Sequence, residues 1–155
     1  FVWSATRFEG FNDGLTWNAP EKISELIDPA QRNLNNWKES QSFMFTSILS
    51  ENSERIGRTG ISRTAFESEW SFGFWVHPDY WGNGYATEAG RAVLQFGFSH
   101  LRASRIMTAH AVLNNPSKRL IEKLGFSYIG ENPCGFEKNG KPVAEYEYEI
   151  SQTAL

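Results

Sequence analysis

One stretch, Glu69 to His100, sets the terms for the fold. Glu69–Val76 carries Trp70, Phe72, Phe74, Trp75 and Val76, bulky residues that suit a strand, and Pro78, which has no N–H for a sheet ladder, ends it. Gly82 and Gly84 follow, and then Ala86, Ala89, Val93 and Phe96 recur at the spacing of a helix face, so the helix is expected from Gly84 to about His100. A strand that passes through a glycine turn into a helix leaves several backbone N–H groups pointing at one spot, reinforced by the positive end of the helix dipole. Such a spot binds anions. Glycine at 82 and 84 permits backbone angles that a side chain forbids, and Ala86 is small enough for the helix to sit on the sheet. A lone Gly-x-Gly is weak by itself, because turn chemistry alone accounts for it.

The rest of the chain repeats this alternation. Phe43–Leu49 runs apolar and β-branched, Glu51, Asn52 and Ser53 make a turn, and Arg55–Arg63 returns as the second arm of a hairpin. Ile106–Leu113 is a further strand. Pro116 opens a helix that buries Leu120, Ile121 and Leu124 and stops at Gly125, a left-handed cap. Phe126–Gly130 and Val143–Ile150 complete the sheet. Upstream, Phe1–Asn18 is aromatic and irregular. Asn18, Pro20 and Glu21 give a helix start with cap, first-turn proline and capping-box acid, and Asp28 with Pro29 opens a second helix to about Glu39. No repeat, low-complexity block or linker divides the chain, so residues 1–155 are expected to form one α+β domain, a mixed, mostly antiparallel sheet flanked by helices.

A chain of 155 residues, 40% apolar and 15% aromatic, can build one continuous core. It contains neither a run of about 18 apolar residues nor a signal-peptide pattern at its start, so no membrane partner is expected. Cys134 is the only cysteine, which excludes an internal disulfide and suits a cytoplasmic location. The histidines, His77, His100 and His110, show no metal spacing, and no metal is expected. The net charge of −3 gives no general attraction for nucleic acid, but it is unevenly spread. Gly90–Lys123 holds Arg91, Arg102, Arg105, Lys118, Arg119 and Lys123 against Glu122 alone, a balance of +5 that leaves −8 elsewhere. These cations are either the solvated faces of two helices or the docking site of a polyanion, with an acidic surface elsewhere for a cationic substrate.

Two blocks resolve the ambiguity. Val-His-Pro-Asp-Tyr-Trp-Gly-Asn-Gly-Tyr-Ala-Thr-Glu-Ala at 76–89 and Asn-Asn-Pro-Ser-Lys-Arg-Leu-Ile-Glu-Lys-Leu-Gly-Phe at 114–126 resemble, in order and spacing, the acetyl-CoA signature of the GNAT superfamily of N-acetyltransferases. The nearest branch is that of the ribosomal-protein-alanine N-acetyltransferases (RimJ/RimL-like), and the resemblance covers roughly Phe43 to Ile150. The family pattern is Gln or Arg, two variable residues, Gly, one variable residue, then Gly or Ala; its first position here is Trp81, a departure that backbone binding tolerates. The resemblance implies acetyl-CoA as donor and CoA as product. Its pyrophosphate would lie on Trp81, Gly82, Asn83, Gly84, Tyr85, Ala86 and Thr87, and its pantetheine arm would pair with the edge of Phe74, Trp75 and Val76, where a bulge would splay the strand from its neighbour. Asn114 would hydrogen-bond the pantetheine, with capping of the following helix as its alternative task. Arg119, with Lys118 and Lys123, would face the adenosine phosphates. Members of this branch begin with a strand and a helix before the region that Phe1–Trp17 matches, so either the fold lacks both or this sequence starts after them.

Acetyl transfer needs a neutral amine, an acceptor for its proton and a donor for the departing thiolate. Ser117, in the family's Asn-x-x-Ser position, is the expected donor; bonding to its own backbone is the alternative. Relatives often place a Glu two residues before the strand glycine, and that position here is Ser71. Glu69, on the same face by strand alternation, is the substitute, with Glu67 acting through water and His77 a further proton carrier. A weak base favours a low-pKa acceptor. An α-amine, with a pKa of about 8, is roughly a tenth neutral at pH 7, against well under a thousandth for lysine. The expected partner is therefore an amine acceptor, foremost a protein N-terminus, attacking directly in a ternary complex, with the enzyme a monomer or homodimer. A small-molecule amine and a silent acyl-CoA-binding domain are the rival readings. A dinucleotide-binding module lacks its third glycine and its parallel strands. Trp3, Phe8, Phe11, Trp17 and Trp37 are expected to form core and groove wall, and Cys134 has no partner base for a covalent route.

Overall fold

In the computed structural model, which describes residues 1–152, six strands form one sheet: β1 (Ser42–Ile48), β2 (Arg55–Arg63), β3 (Glu69–Val76), β4 (Arg105–Ala111), β5 (Ser127–Lys138) and β6 (Lys141–Ser151). Four α-helices accompany them: α1 (Val2–Ala5), α2 (Ile27–Lys38), α3 (Tyr85–Ser99) and α4 (Asn115–Lys123). The strand order is β1-β2-β3-β4-β6-β5, and β3 and β4, joined through the crossover helix α3, are the one pair of neighbours that runs parallel among the described residues. This is the expected α+β arrangement. No helix among the described residues is long and apolar enough to cross a membrane.

Strand alternation sends Phe43, Ile61, Trp70, Phe72, Ile106, Tyr148 and Ile150 to one face, where they form the core with Val93, Leu94 and Phe98 of α3 and Ile121 of α4. Each fully buried side chain of this size stabilises the fold by about 1.5–3 kcal/mol. Close seating of α3 depends on Gly97, where a Cβ would stand 2.7 Å from Ile61 Cδ1 and 2.9 Å from Ile106 Cδ1.

The feature that shapes the molecule is the short pairing of β3 with β4, confined to Glu69–Ser71 against Arg105–Met107. Beyond it the strands part. The last tie is the hydroxyl of buried Thr108, which donates to the Phe72 carbonyl at 3.0 Å. The expected bulge in β3 is absent: its register with β2 is unbroken, and the irregularities lie at Ser47/Ile48 of β1 and in β5. The strands separate because their pairing stops.

Other expectations are corrected. Asn18–Glu21 does not open an α-helix; Ile23–Leu26 is a 3-10 turn leading into α2, and Glu25 is the acid that reaches back, accepting from the Glu21 N–H at 3.0 Å. β5 runs on to Lys138 through Pro133 and Gly135, tolerated because β5 is an edge strand and breaks register between Asn132 and Phe136. Trp37 leaves the expected aromatic cluster and packs on Phe43 and Phe45, with ring centroids 5.1 Å apart in each case. β1 is one edge of the described sheet, with no strand preceding it among the described residues.

Replacing Thr108 by Val keeps the shape but leaves the Phe72 carbonyl unpaired. Urea unfolding should show a loss of about 1–3 kcal/mol.

Candidate active site in the cleft between the parted strands

Where β3 and β4 diverge, a cleft of about 1140 Å³ opens. Phe74, Trp75 and Val76 form one wall, and Ala111, Val112, Leu113 and Asn114 form the other. The start of α3 and the face of α4 with Ser117, Arg119 and Lys123 lie between them, while Phe11, Asp13, Gly14 and Leu15 close the top with Pro142, Val143 and Ala144.

The loop into α3 is built to present donors. Gly82 and Gly84 take φ of 81° and 86°, in the left-handed region that L side chains resist. Among the described residues, none of the five N–H groups from Gly82 to Ala86 donates to a protein acceptor. Five free amides at the positive end of a 15-residue helix form an anion nest. Thr87 is outside it, because its N–H is bonded to the Gly84 carbonyl at 2.9 Å. Trp81 braces the loop: its indole N–H donates to the Val76 carbonyl at 2.7 Å. Asn83 folds back, its amide donating to the carbonyls of Tyr80 and Trp81, and its side chain does not line the cleft.

The edge of β3 offers less than expected. The Phe72 carbonyl points toward β4, so by the two-residue period Phe74 and Val76 point there too, while Trp75 bonds toward β2. With Val76 O taken by Trp81, the unpaired main-chain groups facing the cleft are those of Phe74 and the Val76 N–H.

Asn114 caps α4, its Oδ1 accepting from the Ser117 N–H at 3.2 Å, so the capping task is realised, and the residue also lines the cleft. The Ser117 hydroxyl has no protein partner among the described residues, so the alternative bond to its own backbone is not made. Arg119 and Lys123 line the cleft; Lys118 turns instead toward Glu122, 3.9 Å away.

Glu69, expected as the base, lies away from the cleft. It sits at the far end of β3, seven residues or about 23 Å from Val76, outside the cleft. There it is buried and held by Arg105, whose Nε donates at 3.0 Å. Glu67 and Ser71 are exposed and do not line the cleft. His77 is buried outside the cleft, its Nε2 3.2 Å from Ser4 Oγ and its Nδ1 accepting from the Asp79 N–H. His110 is buried against Tyr148, at 3.2 Å. Tyr80 lines the cleft, but the carboxylate of Glu54 pushes its pKa up to about 12, so it stays protonated.

Two residues were not foreseen. Glu145 of β6 pairs across the ladder with cleft-lining Ala111, and burial, then repulsion from Glu147, holds its carboxyl above the ordinary range. Lys138, at the β5–β6 tip, reaches the loop that roofs the cleft. Neither has a local motif; strand pairing over long sequence separations delivers both. Among the described residues no group of three or more His, Cys, Asp or Glu could hold a metal ion.

Comparison with known proteins accords with this geometry. Residues 3–127 match the family described as the acetyltransferase (GNAT) domain. The uncharacterized protein YkkB of Bacillus subtilis (strain 168) is 30% identical over 145 residues, spanning 86% of this chain and 82% of that protein. In fold, the chain superposes on RimL, a ribosomal L7/L12 α-N-protein acetyltransferase in complex with coenzyme A, with a TM-score of 0.86 at 15% identity, over 99% of this chain and 86% of that one. It also superposes on a spermidine N-acetyltransferase from Vibrio cholerae in complex with CoA and spermine, with a TM-score of 0.83 at 19% identity, over 99% and 89%.

Inorganic pyrophosphate titrated into ¹⁵N-labelled protein should shift the amides of Gly82–Ala86 first. Gly84→Ala, which forces a side chain into the left-handed region at a cost of about 1–2 kcal/mol, should abolish that response with the far-ultraviolet circular dichroism retained.

Proposed function

The chain belongs to the acetyltransferase (GNAT) family and is an acetyl-CoA-dependent N-acetyltransferase, and on that premise we propose that it transfers acetyl to an N-terminal α-amine of a protein or peptide by direct attack in a ternary complex. The observation that carries the donor side is the row of five free amides at the cleft floor, beside Arg119 and Lys123. The pyrophosphate rests on Gly82–Ala86, the two cations take the adenosine phosphates, and the pantetheine amides pair with Phe74 and with the Asn114 side-chain N–H.

The amine lone pair attacks the thioester carbonyl, the carbon–sulfur bond breaks, and acetyl remains on nitrogen as an amide. The free Ser117 hydroxyl donates a hydrogen bond to the departing thiolate, which then takes its proton from solvent. The proton lost by nitrogen passes through water to Glu145, whose raised pKa brings its basicity closer to that of the amine than an ordinary carboxylate's. An indirect base of this strength works on amines already partly neutral, which favours α-amines over lysine. Among the described residues Asp13 is the one carboxylate lining the cleft, whereas a polyamine presents several ammonium groups.

Thiol release from acetyl-CoA decides the acceptor. The panel is an alanine-initiated peptide amide, its N-terminally blocked lysine-containing counterpart, and spermidine. The first should give the highest kcat/KM; preference for spermidine or the blocked peptide would overturn the proposal. Ser117→Ala should lower kcat on the order of 10² while leaving the acetyl-CoA KM near its parent value. Because the Glu145 pKa is raised, its carboxyl stays protonated to higher pH and activity is lost as pH falls through it. Glu145→Gln should therefore remove that acid limb from the kcat/KM profile.

A further inference from the structure

Lys138 ends β5 immediately before the tight turn Asn139–Gly140, where Asn139 has φ 52° and Gly140 φ 74°. Its ammonium donates to three backbone carbonyls: Asn12 at 2.8 Å, Leu15 at 2.9 Å and Trp17 at 2.8 Å. An ammonium has three N–H donors, and all three are used. The carbonyls belong to a segment with no regular secondary structure, more than 120 positions away in the chain. That segment carries Phe11, Asp13, Gly14 and Leu15 into the top of the cleft. Phe11 stands edge-on to Trp75 of β3 and to Trp17, with centroids 5.6 Å and 6.3 Å apart, so one side of the segment is held by ring packing and the other by the ammonium.

The geometry points to Lys138 as the positioning residue of the acceptor wall: a staple that gathers the 12–17 loop around one charge, holding Phe11 and Asp13 at the mouth where the amine enters. This rests on the reading that the 10–15 wall faces the acceptor. The donor subsite is built by other elements, the α3 start and α4, so losing the staple should loosen one half of the cleft and spare the other. No other donor type reproduces the arrangement. Arginine's planar fork cannot point three hydrogens at carbonyls gathered around one nitrogen, and an apolar residue leaves all three without a partner.

The test uses Lys138→Cys in a Cys134→Ser background, before and after alkylation with 2-bromoethylamine, which rebuilds a lysine-like ammonium with a sulfur in place of one methylene. Before alkylation, the KM for the alanine-initiated peptide amide should rise about tenfold with kcat within twofold, and the Kd for desulfo-CoA should stay within twofold. Hydrogen exchange of the 12–17 amides should accelerate at least tenfold while that of Gly82–Ala86 is unchanged. Alkylation should restore both the KM and the exchange protection. Unchanged exchange, equal losses of peptide and desulfo-CoA affinity, or failure of alkylation to restore either readout would overturn the staple. If the parent ignores the peptide, the α-amine reading falls, and exchange with its rescue judges the staple alone.

Discussion

Everything functional in this molecule depends on two parallel strands that stop pairing. β3 and β4 hold each other through three residue pairs, the Arg105–Glu69 ion pair and one hydroxyl, and then diverge. An unpaired strand edge is costly when buried without partners, which is why most sheets close their ladders. Here the open ladder faces a cleft, and a peptide-like ligand arm can supply the missing hydrogen bonds. The same divergence puts the end of β3, the glycine loop and the start of α3 on one side of the cleft, with the end of β4 and the start of α4 on the other. Two strand-to-helix connections thus converge on one place.

The division of labour inside the cleft follows from which groups are already committed. Val76 O belongs to Trp81, Thr87 N to Gly84, Asn114 Oδ1 to Ser117 N and Glu69 to Arg105. What remains uncommitted on the donor side is five amides, the Phe74 main chain with the Val76 N–H, the Ser117 hydroxyl and two cations, while Glu145 pairs across the ladder with cleft-lining Ala111. The loop is rigid because its own side chains brace it, so its amides are preorganised for an anion. Trp81, which stands where the family pattern has Gln or Arg, contributes as a strut.

The acceptor side has a different construction. Its wall is an irregular segment near the start of the chain, fastened by ring packing on Trp75 and by the Lys138 ammonium at the tip of the last hairpin. Irregular walls tied at a few points can change from one relative to another without disturbing the donor half, which fits structural neighbours that share the fold and act on ribosomal protein in one case and were solved with spermine in another.

The sequence by itself determined the strands β1 to β3, both cleft helices, the glycine loop and the family, because each rests on local chemistry: a side-chain period, a proline that cannot pair, a glycine that can adopt positive φ. It also marked Ser117 and Arg119, which sit one turn or less into a helix whose start it located. Only the tertiary structure decided where each carboxylate stands. Glu69 and Glu145 look alike in sequence, each an acid on a strand, but one lies at the paired end of β3 locked to an arginine and the other beside Ala111 where the strands have parted. Lys138 was invisible for the same reason. Its three acceptors are carbonyls of a distant loop, and no local pattern records where a chain will return.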